Sequence, residues 1–167
     1  MSAYLPLLEG KRVGLVVNQT AVVTRPSDGQ LIPLPDTLLS RGVNIRCIMA
    51  PEHGYKGTAE AGAHITNGKD AATGLNIYSL YGNNKKPKAE WMKEVDVLVF
   101  DIQDVGCRFY TYLSTLYRLR ISYLNKLQKR LVNALAMAPY EQRDKLNSQL
   151  KKVITMREKL IEKESKL

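Results

Sequence analysis

Long hydrophobic runs are missing from this 167-residue chain: none approaches the roughly 18–20 apolar residues that a membrane-spanning helix requires, so no span is expected. The opening stretch "MSAYLPLLEGKR" has no charged region leading into an apolar one, which predicts no secretory signal and leaves the compartment open. Cysteine is scarce. Cys47 and Cys107 form no CxxC pair, and each lies within or just after an apolar stretch, where a buried free thiol is expected rather than a disulfide or a metal site. Neither GxGxxG nor GxxxxGK[ST] occurs, which argues against the usual dinucleotide and P-loop sites. Asp101 and Asp104 have a DxxD spacing compatible with Mg²⁺, but two carboxylates alone are a weak metal signal, and no cofactor or metal is expected.

What is abundant is positive charge, and it is unevenly spread. The chain carries a net +9, yet residues 1–116 hold 12 Lys and Arg against 11 Asp and Glu, whereas residues 117–167 hold 13 against 5. The basic character therefore belongs to the C-terminal segment and says little about the partner of the rest. Lys and Arg spread around amphipathic helices more often form a solvated face than a nucleic-acid site, so nucleic-acid binding ranks low.

The first two thirds alternate short apolar runs, turn residues and helical patterns. "KRVGLVVNQT" reads as a buried strand ending at Asn18, and "TRPSDGQLIPLP" as a loop. "PDTLLSRG" has the Pro, early Asp and closing Gly42 of a short helix, followed by a strand in "VNIRCIMA". "NIYSLYG" is a third strand and "KPKAEWMKEV" a helix with Trp91 and Met92 facing the core. "VDVLVFDIQD" is the strongest strand, an apolar run suited to a parallel strand covered on both faces. This alternation predicts an α/β fold with a doubly wound, mostly parallel sheet. From about Arg108 leucines recur at helical spacing (Leu113, Leu116, Leu124, Leu127, Leu131, Leu135), Ala138-Pro139 breaks the pattern, and a second helix runs from about Tyr140 through Leu146, Leu150, Val153, Leu160 and Ile161. A C-terminal helical hairpin or coiled coil is expected. The division is therefore 1–116, an α/β domain, and 117–167, a basic amphipathic helical segment.

In an open parallel sheet, ligands bind at the carboxyl ends of the strands. Those ends carry Asn18-Gln19-Thr20, Pro51-Glu52-His53-Gly54 and Asp101-Ile102-Gln103-Asp104, the last followed by Arg108, Tyr110 and Tyr112. Convergence of these clusters on one rim predicts acid–base chemistry on a polar substrate. A carboxylate pair divides such labour when burial raises one pKa and donors such as Arg108 keep the other ionised, as glycoside hydrolysis requires. Each residue also has a plainer role: Glu52 accepting loop N–H bonds, His53 as a structural hydrogen-bonder, and Asp101 and Asp104 capping a helix from Arg108. Asn18-Gln19-Thr20 matches an N-glycosylation sequon, read as coincidence at a buried strand end.

Four stretches in order, "LLEGKRVGLVVNQTAVV", "LLSRGVNIRCIMAPEHGYKGTAEAG", "TGLNIYSLYG" and "VDVLVFDIQDVGCRFYTYLSTL", resemble the N-terminal part of the NamZ-type exo-β-N-acetylmuramidases over about residues 3–116. The resemblance implies a Rossmann-like domain and hydrolysis of terminal N-acetylmuramic acid from peptidoglycan fragments. It places the proposed catalytic glutamate on Glu52, with Asp101 and Asp104 assisting. Asn18, His53, Gln103, Arg108, Tyr110 and Tyr112 would line the cleft and bind peptidoglycan-derived amino sugars. Members of the family are often exported. In the family the chain continues into further strands and a second domain, so residues 117–167 depart from it and the chain reads as truncated. Two expectations follow for the tail: its helices cover the open sheet surface directly, or they pair two chains through residues 113–161. The alternative to an enzyme is a non-catalytic binding or interaction protein that assembles through the basic helices.

Overall fold

The structure, a computed structural model, describes residues 3–51, 55, 67–103 and 111–166. In chain order its elements are α1 (Leu5–Leu8), β1 (Val13–Val17), β2 (Val22–Thr24), β3 (Leu31–Pro33), α2 (Leu34–Ser40), β4 (Ile45–Ala50), β5 (Gly68–Lys69), β6 (Asn76–Ser79), α3 (Ala89–Lys93), β7 (Val97–Asp101), α4 (Tyr112–Met137) and α5 (Tyr140–Glu164). The main sheet has the order β5-β6-β4-β1-β7. β6, β4, β1 and β7 run parallel, and the two-residue β5 pairs antiparallel with β6. The expected doubly wound α/β sheet with a C-terminal helical hairpin is what the chain forms.

β1 sits between two parallel neighbours, and all five of its residues are buried. Alternation along it sends Val13, Leu15 and Val17 into one core with Leu8, Leu34 and Leu38, on the side of α1 and α2. Val16 faces the other core, with Cys47, Met49, Leu80, Trp91, Met92, Val95 and Leu119, on the side of α3 and α4. The register of β1 on β4 slips between Val13 and Gly14, which face Ile45 and Cys47. The extra residue, Arg46, is exposed, and this bulge lets Ile45 and Ile48 share one face although they are three apart. Gly14 sits in tight space: a Cβ there would lie 3.0 Å from both Leu98 Cδ2 and Val95 Cγ1, and those side chains would have to give way. Cys47 is a buried free thiol pushed up to about 12 by burial, in line with an inert core position.

Most expected elements form where the pattern put them. α2 carries Pro35 and Asp36 in its first turn, and Gly42 follows it with φ 74°, a conformation that favours glycine. Trp91 and Met92 are buried in α3, and Trp91 stacks on Tyr78 of β6 at 4.4 Å between ring centroids. Three differences have physical causes. The stretch read as a loop holds the β2–β3 hairpin, whose turn is closed by Arg25 donating to both carboxylate oxygens of Asp28 (2.9 and 2.6 Å). β7, expected to be covered on both faces, packs Val97 and Val99 against one core and Leu98 and Phe100 against the other but is only partly buried along its length, and it pairs only with β1 among the described residues. In the hairpin, Leu113 and Ile161 are 46% and 45% exposed, and Leu119 is the leucine of α4 that enters the core.

α4 runs unbroken through position 116, so its N-terminal half belongs to the sheet. Beyond Leu119, Tyr123 Oη donates to the Asp96 carbonyl at 3.1 Å and Lys126 Nζ donates to the Val95 carbonyl. Asp96 is in turn gripped by Arg12, whose Nε and Nη2 lie 2.9 and 2.8 Å from its two oxygens. Ala138 and Pro139 terminate α4 and start α5, as the break predicted. The two helices are antiparallel, with Arg118 Nε 2.7 Å from Glu164 Oε1 at one end and Arg157 Nη1 2.5 Å from Gln128 Oε1 further along.

Two stability predictions follow from this packing. Leu119→Ala should cost about 2–5 kcal/mol in urea unfolding, because it opens a cavity between α4 and the sheet. Met137→Ala, at a position 88% exposed, should stay within about 0.5 kcal/mol. Asp96 is held well below its ordinary 3.8, chiefly by the side-chain hydrogen bond from Arg12. Its contribution is therefore present above 3.8 and lost as pH falls toward the lowered folded value. Asp96→Asn should lower the Tm at pH 7, and the difference from the parent should shrink below pH 3.8, read by thermal melts across pH.

Candidate active-site rim

The four parallel strands bring their carboxyl ends to one rim, with Val17 opposite Asp101, Val16 opposite Met49 and Ala50 opposite Ser79. Read in chain order, the sheet grows from β1 to β4 to β6 on one side, then jumps back across β1 to add β7. Neighbouring connections therefore leave β1 in opposite directions, and the crevice between β1 and β7 is the switch point where such sheets bind ligands. Asn18 and Thr20 follow one strand, and Asp101 and Gln103 stand at the end of the other.

A chain of hydrogen bonds crosses this crevice. Thr20 donates to Asn18 Oδ1 from its backbone N–H at 3.0 Å and from its hydroxyl at 2.6 Å. The same hydroxyl oxygen accepts the Gln103 backbone N–H at 3.1 Å. Asn18 Nδ2 donates to Tyr112 Oη at 3.4 Å. Asn18 and Tyr112 are 2% and 6% exposed, so this network ties the ends of β1 and β7 to the start of α4 with little solvent access. Asn18 is thus occupied and buried, which agrees with reading its sequon as coincidence.

Asp101 is half-buried at the end of β7, and burial raises its pKa above the ordinary carboxylate value. Among the described residues it is not the cap of α4, which begins at Tyr112 with Thr111 as N-cap. Tyr4 is also raised, first by burial and then by the charge of Asp101. A carboxyl group poised to hold its proton longer than usual at a switch point suits general acid–base chemistry.

Of the residues singled out in the sequence, Asn18, Asp101, Gln103 and Tyr112 are gathered here. Glu52, His53, Asp104, Arg108 and Tyr110 lie outside the described residues, as does Cys107. The residue before Glu52, Pro51, is buried directly after β4. Tyr55 is half-buried against the first core, its hydroxyl pushed up to about 12 mainly by burial. Gln103 contributes its backbone N–H rather than its exposed side chain. Thr20, the middle link of the network, was part of a strand-end cluster but carried no separate signal; only the tertiary approach of Gln103 gives it a role. Among the described residues no cluster of three or more His, Cys, Asp or Glu is placed to hold a metal ion.

Residues 13–132 match the family described as exo-β-N-acetylmuramidase NamZ, N-terminal, an interval that reaches well into α4. The chain is 44% identical over 115 residues to the peptidoglycan β-N-acetylmuramidase NamZ of Bacillus subtilis (strain 168), covering 68% of this chain and 26% of that protein. It is also similar to the crystal structure of a DUF1343 family protein from Bacteroides fragilis NCTC 9343, with a TM-score of 0.63 and 41% identity over 74% of this chain and 29% of the other. The chain thus spans about a quarter of the length of each. On the match over most of its length, the chain belongs to the NamZ exo-β-N-acetylmuramidase N-terminal family.

Proposed function

We propose that this chain is a glycoside hydrolase-like domain acting on terminal N-acetylmuramic acid of peptidoglycan fragments, with Glu52 as general acid/base. The observation that carries the reading is the position of its motifs: the PEHG stretch directly follows β4, and the DIQD stretch ends β7, on either side of β1 in a sheet of this family. Hydrolysis of a glycosidic bond needs one group to protonate the leaving oxygen and another to position water or offset oxocarbenium-like charge. Asp101 or Asp104 takes the second part. Arg108 pairs with the lactyl carboxylate that distinguishes a muramic sugar, and His53 and Tyr110 complete the lining. Asn18, Gln103 and Tyr112 act by holding the rim in register, since two are buried and the third contributes main chain. The division at residue 116 is one of charge, with 117–167 as a basic helical segment, since both α4 and the family match continue past it.

Release of N-acetylmuramic acid from a chromogenic muramide tests this reading. Glu52→Gln should lower kcat by about 100-fold or more, and parental turnover in that variant would overturn the assignment. Asp101→Asn adds a stability readout. Burial raises the folded pKa of Asp101, so the ionised form penalises the fold at neutral pH, and the penalty is absent below 3.8 where both states are protonated. The variant should melt higher than the parent at pH 7, match it near pH 3, and lose muramidase turnover.

A further inference from the structure

The backbone ladder between β1 and β7 ends at the pair Val17 and Asp101. Beyond that pair a side chain carries the connection on: the Gln103 N–H donates to Thr20 Oγ1 at 3.1 Å, where a main-chain carbonyl would serve inside a sheet. The Thr20 hydroxyl is oriented for this. Its own proton goes to Asn18 Oδ1 at 2.6 Å, which leaves its lone pairs for Gln103. Asn18 Oδ1 also accepts the Thr20 backbone N–H at 3.0 Å, and its Nδ2 faces Tyr112 Oη. The anchor behind Thr20 is therefore a buried side chain, while Gln103 in front of it is exposed. Alternation along β7 packs Val97 and Val99 on the side of α1 and α2, and Asp101 continues that face, where the Tyr4 hydroxyl senses its charge.

We propose that Thr20 is a positioning residue for acid–base chemistry at the crevice: its hydroxyl clamps the turn after β7 and thereby fixes where the Asp101 carboxyl stands. The reaction it serves rests on the muramidase reading, whereas the clamp itself rests on the hydrogen-bond geometry. Asp101 is the last residue of β7, and Ile102 and Gln103 lie outside the strand. A bond two residues further on stops the strand end from swinging about the Asp101 and Ile102 dihedrals. Such control matters, because misplacing a catalytic group by about 1 Å costs up to about 100-fold in rate. Water in place of the hydroxyl could accept the Gln103 N–H, but it is not tied covalently to β1, so it would satisfy the donor without fixing the turn. Threonine suits the task because its branched Cβ restricts the hydroxyl to few rotamers.

Thr20→Val keeps the shape and branching and removes the hydroxyl, and Thr20→Ser restores it. The main-chain bond from residue 20 to Asn18 remains in both, so both keep the fold. With a chromogenic muramide, Thr20→Val should lower kcat about tenfold or more and leave KM within about twofold, and Thr20→Ser should recover to within about threefold of the parent. Two readouts need no turnover. Amide exchange at Gln103, followed by NMR, should speed up about tenfold in Thr20→Val and not in Thr20→Ser. The Asp101 carboxyl, held above its ordinary 3.8 by burial, should titrate closer to 3.8 in Thr20→Val as the freed turn admits water. A parent chain that releases no N-acetylmuramic acid would remove the muramidase reading, and exchange and titration would still decide the clamp. Parental Gln103 exchange and Asp101 titration in Thr20→Val would overturn the proposal. So would a loss of turnover that Thr20→Ser does not recover.

Discussion

β1 is hydrogen-bonded on both edges by parallel strands, and the pairing of its second edge with β7 is the constraint on which the remaining structure depends. The chain reaches β7 only after building β4 and β6 on the other side, so this pairing closes a contact between residues more than eighty apart in sequence. Everything at the rim follows from it. Asp101 lands opposite Val17, the Gln103 N–H comes within 3.1 Å of the Thr20 hydroxyl, and α4 begins close enough for Tyr112 to meet Asn18. A local sequence pattern specifies the strands, but the crevice exists only because of the order in which they are laid side by side.

The same long-range closure is reinforced on the opposite end of the sheet. Arg12, just before β1, and Asp96, just before β7, form a two-pronged pair, and the Asp96 and Val95 carbonyls accept from Tyr123 and Lys126 of α4. One turn thereby joins both strands to the helix that covers them. Gly14 belongs to this arrangement, since a Cβ there would crowd the side chains of Val95 and Leu98 at 3.0 Å. The β1–β7 pairing is thus held at its amino end by charge and at its carboxyl end by the Asn18–Thr20–Gln103 network.

Periodicity made the parallel strands, α2, α3 and the α4–α5 break legible, because each is set by local patterning: β-branched runs, Pro at a helix start, Pro139 after Ala138. The β2–β3 hairpin was hidden because its strands are three residues long and its turn is stabilised by an Arg25–Asp28 pair rather than by an Asn-Gly type signal. Leu119 was not separable from its helix-mates by spacing alone, since only the position of the sheet decides which leucine of a stripe is covered. For the site, strand ends predicted which polar residues share a rim, and that much holds for Asn18, Asp101 and Gln103. What spacing does not convey is the division of labour: Gln103 works through its main chain, and Asn18 and Tyr112 are engaged with the protein itself.

The basic segment shows why net charge and function are separate questions. Much of its charge has internal work: Arg118 meets Glu164, Arg157 meets Gln128 and Asn125, Lys126 meets a carbonyl of the sheet, and Arg130 stands 3.8 Å from Asp96. Such cations stabilise one geometry of the hairpin on the sheet and are not free to recruit a polyanion. Those left over among the described residues, Arg120, Lys129, Lys145, Lys151, Lys152, Lys159 and Lys163, are spread along both helices. Arg120, Lys159 and Lys163 line a groove between β7, α4 and α5. A helix can cover an apolar face but does not extend a strand's hydrogen-bond ladder, so α4 and α5 pack over β7 without pairing with it.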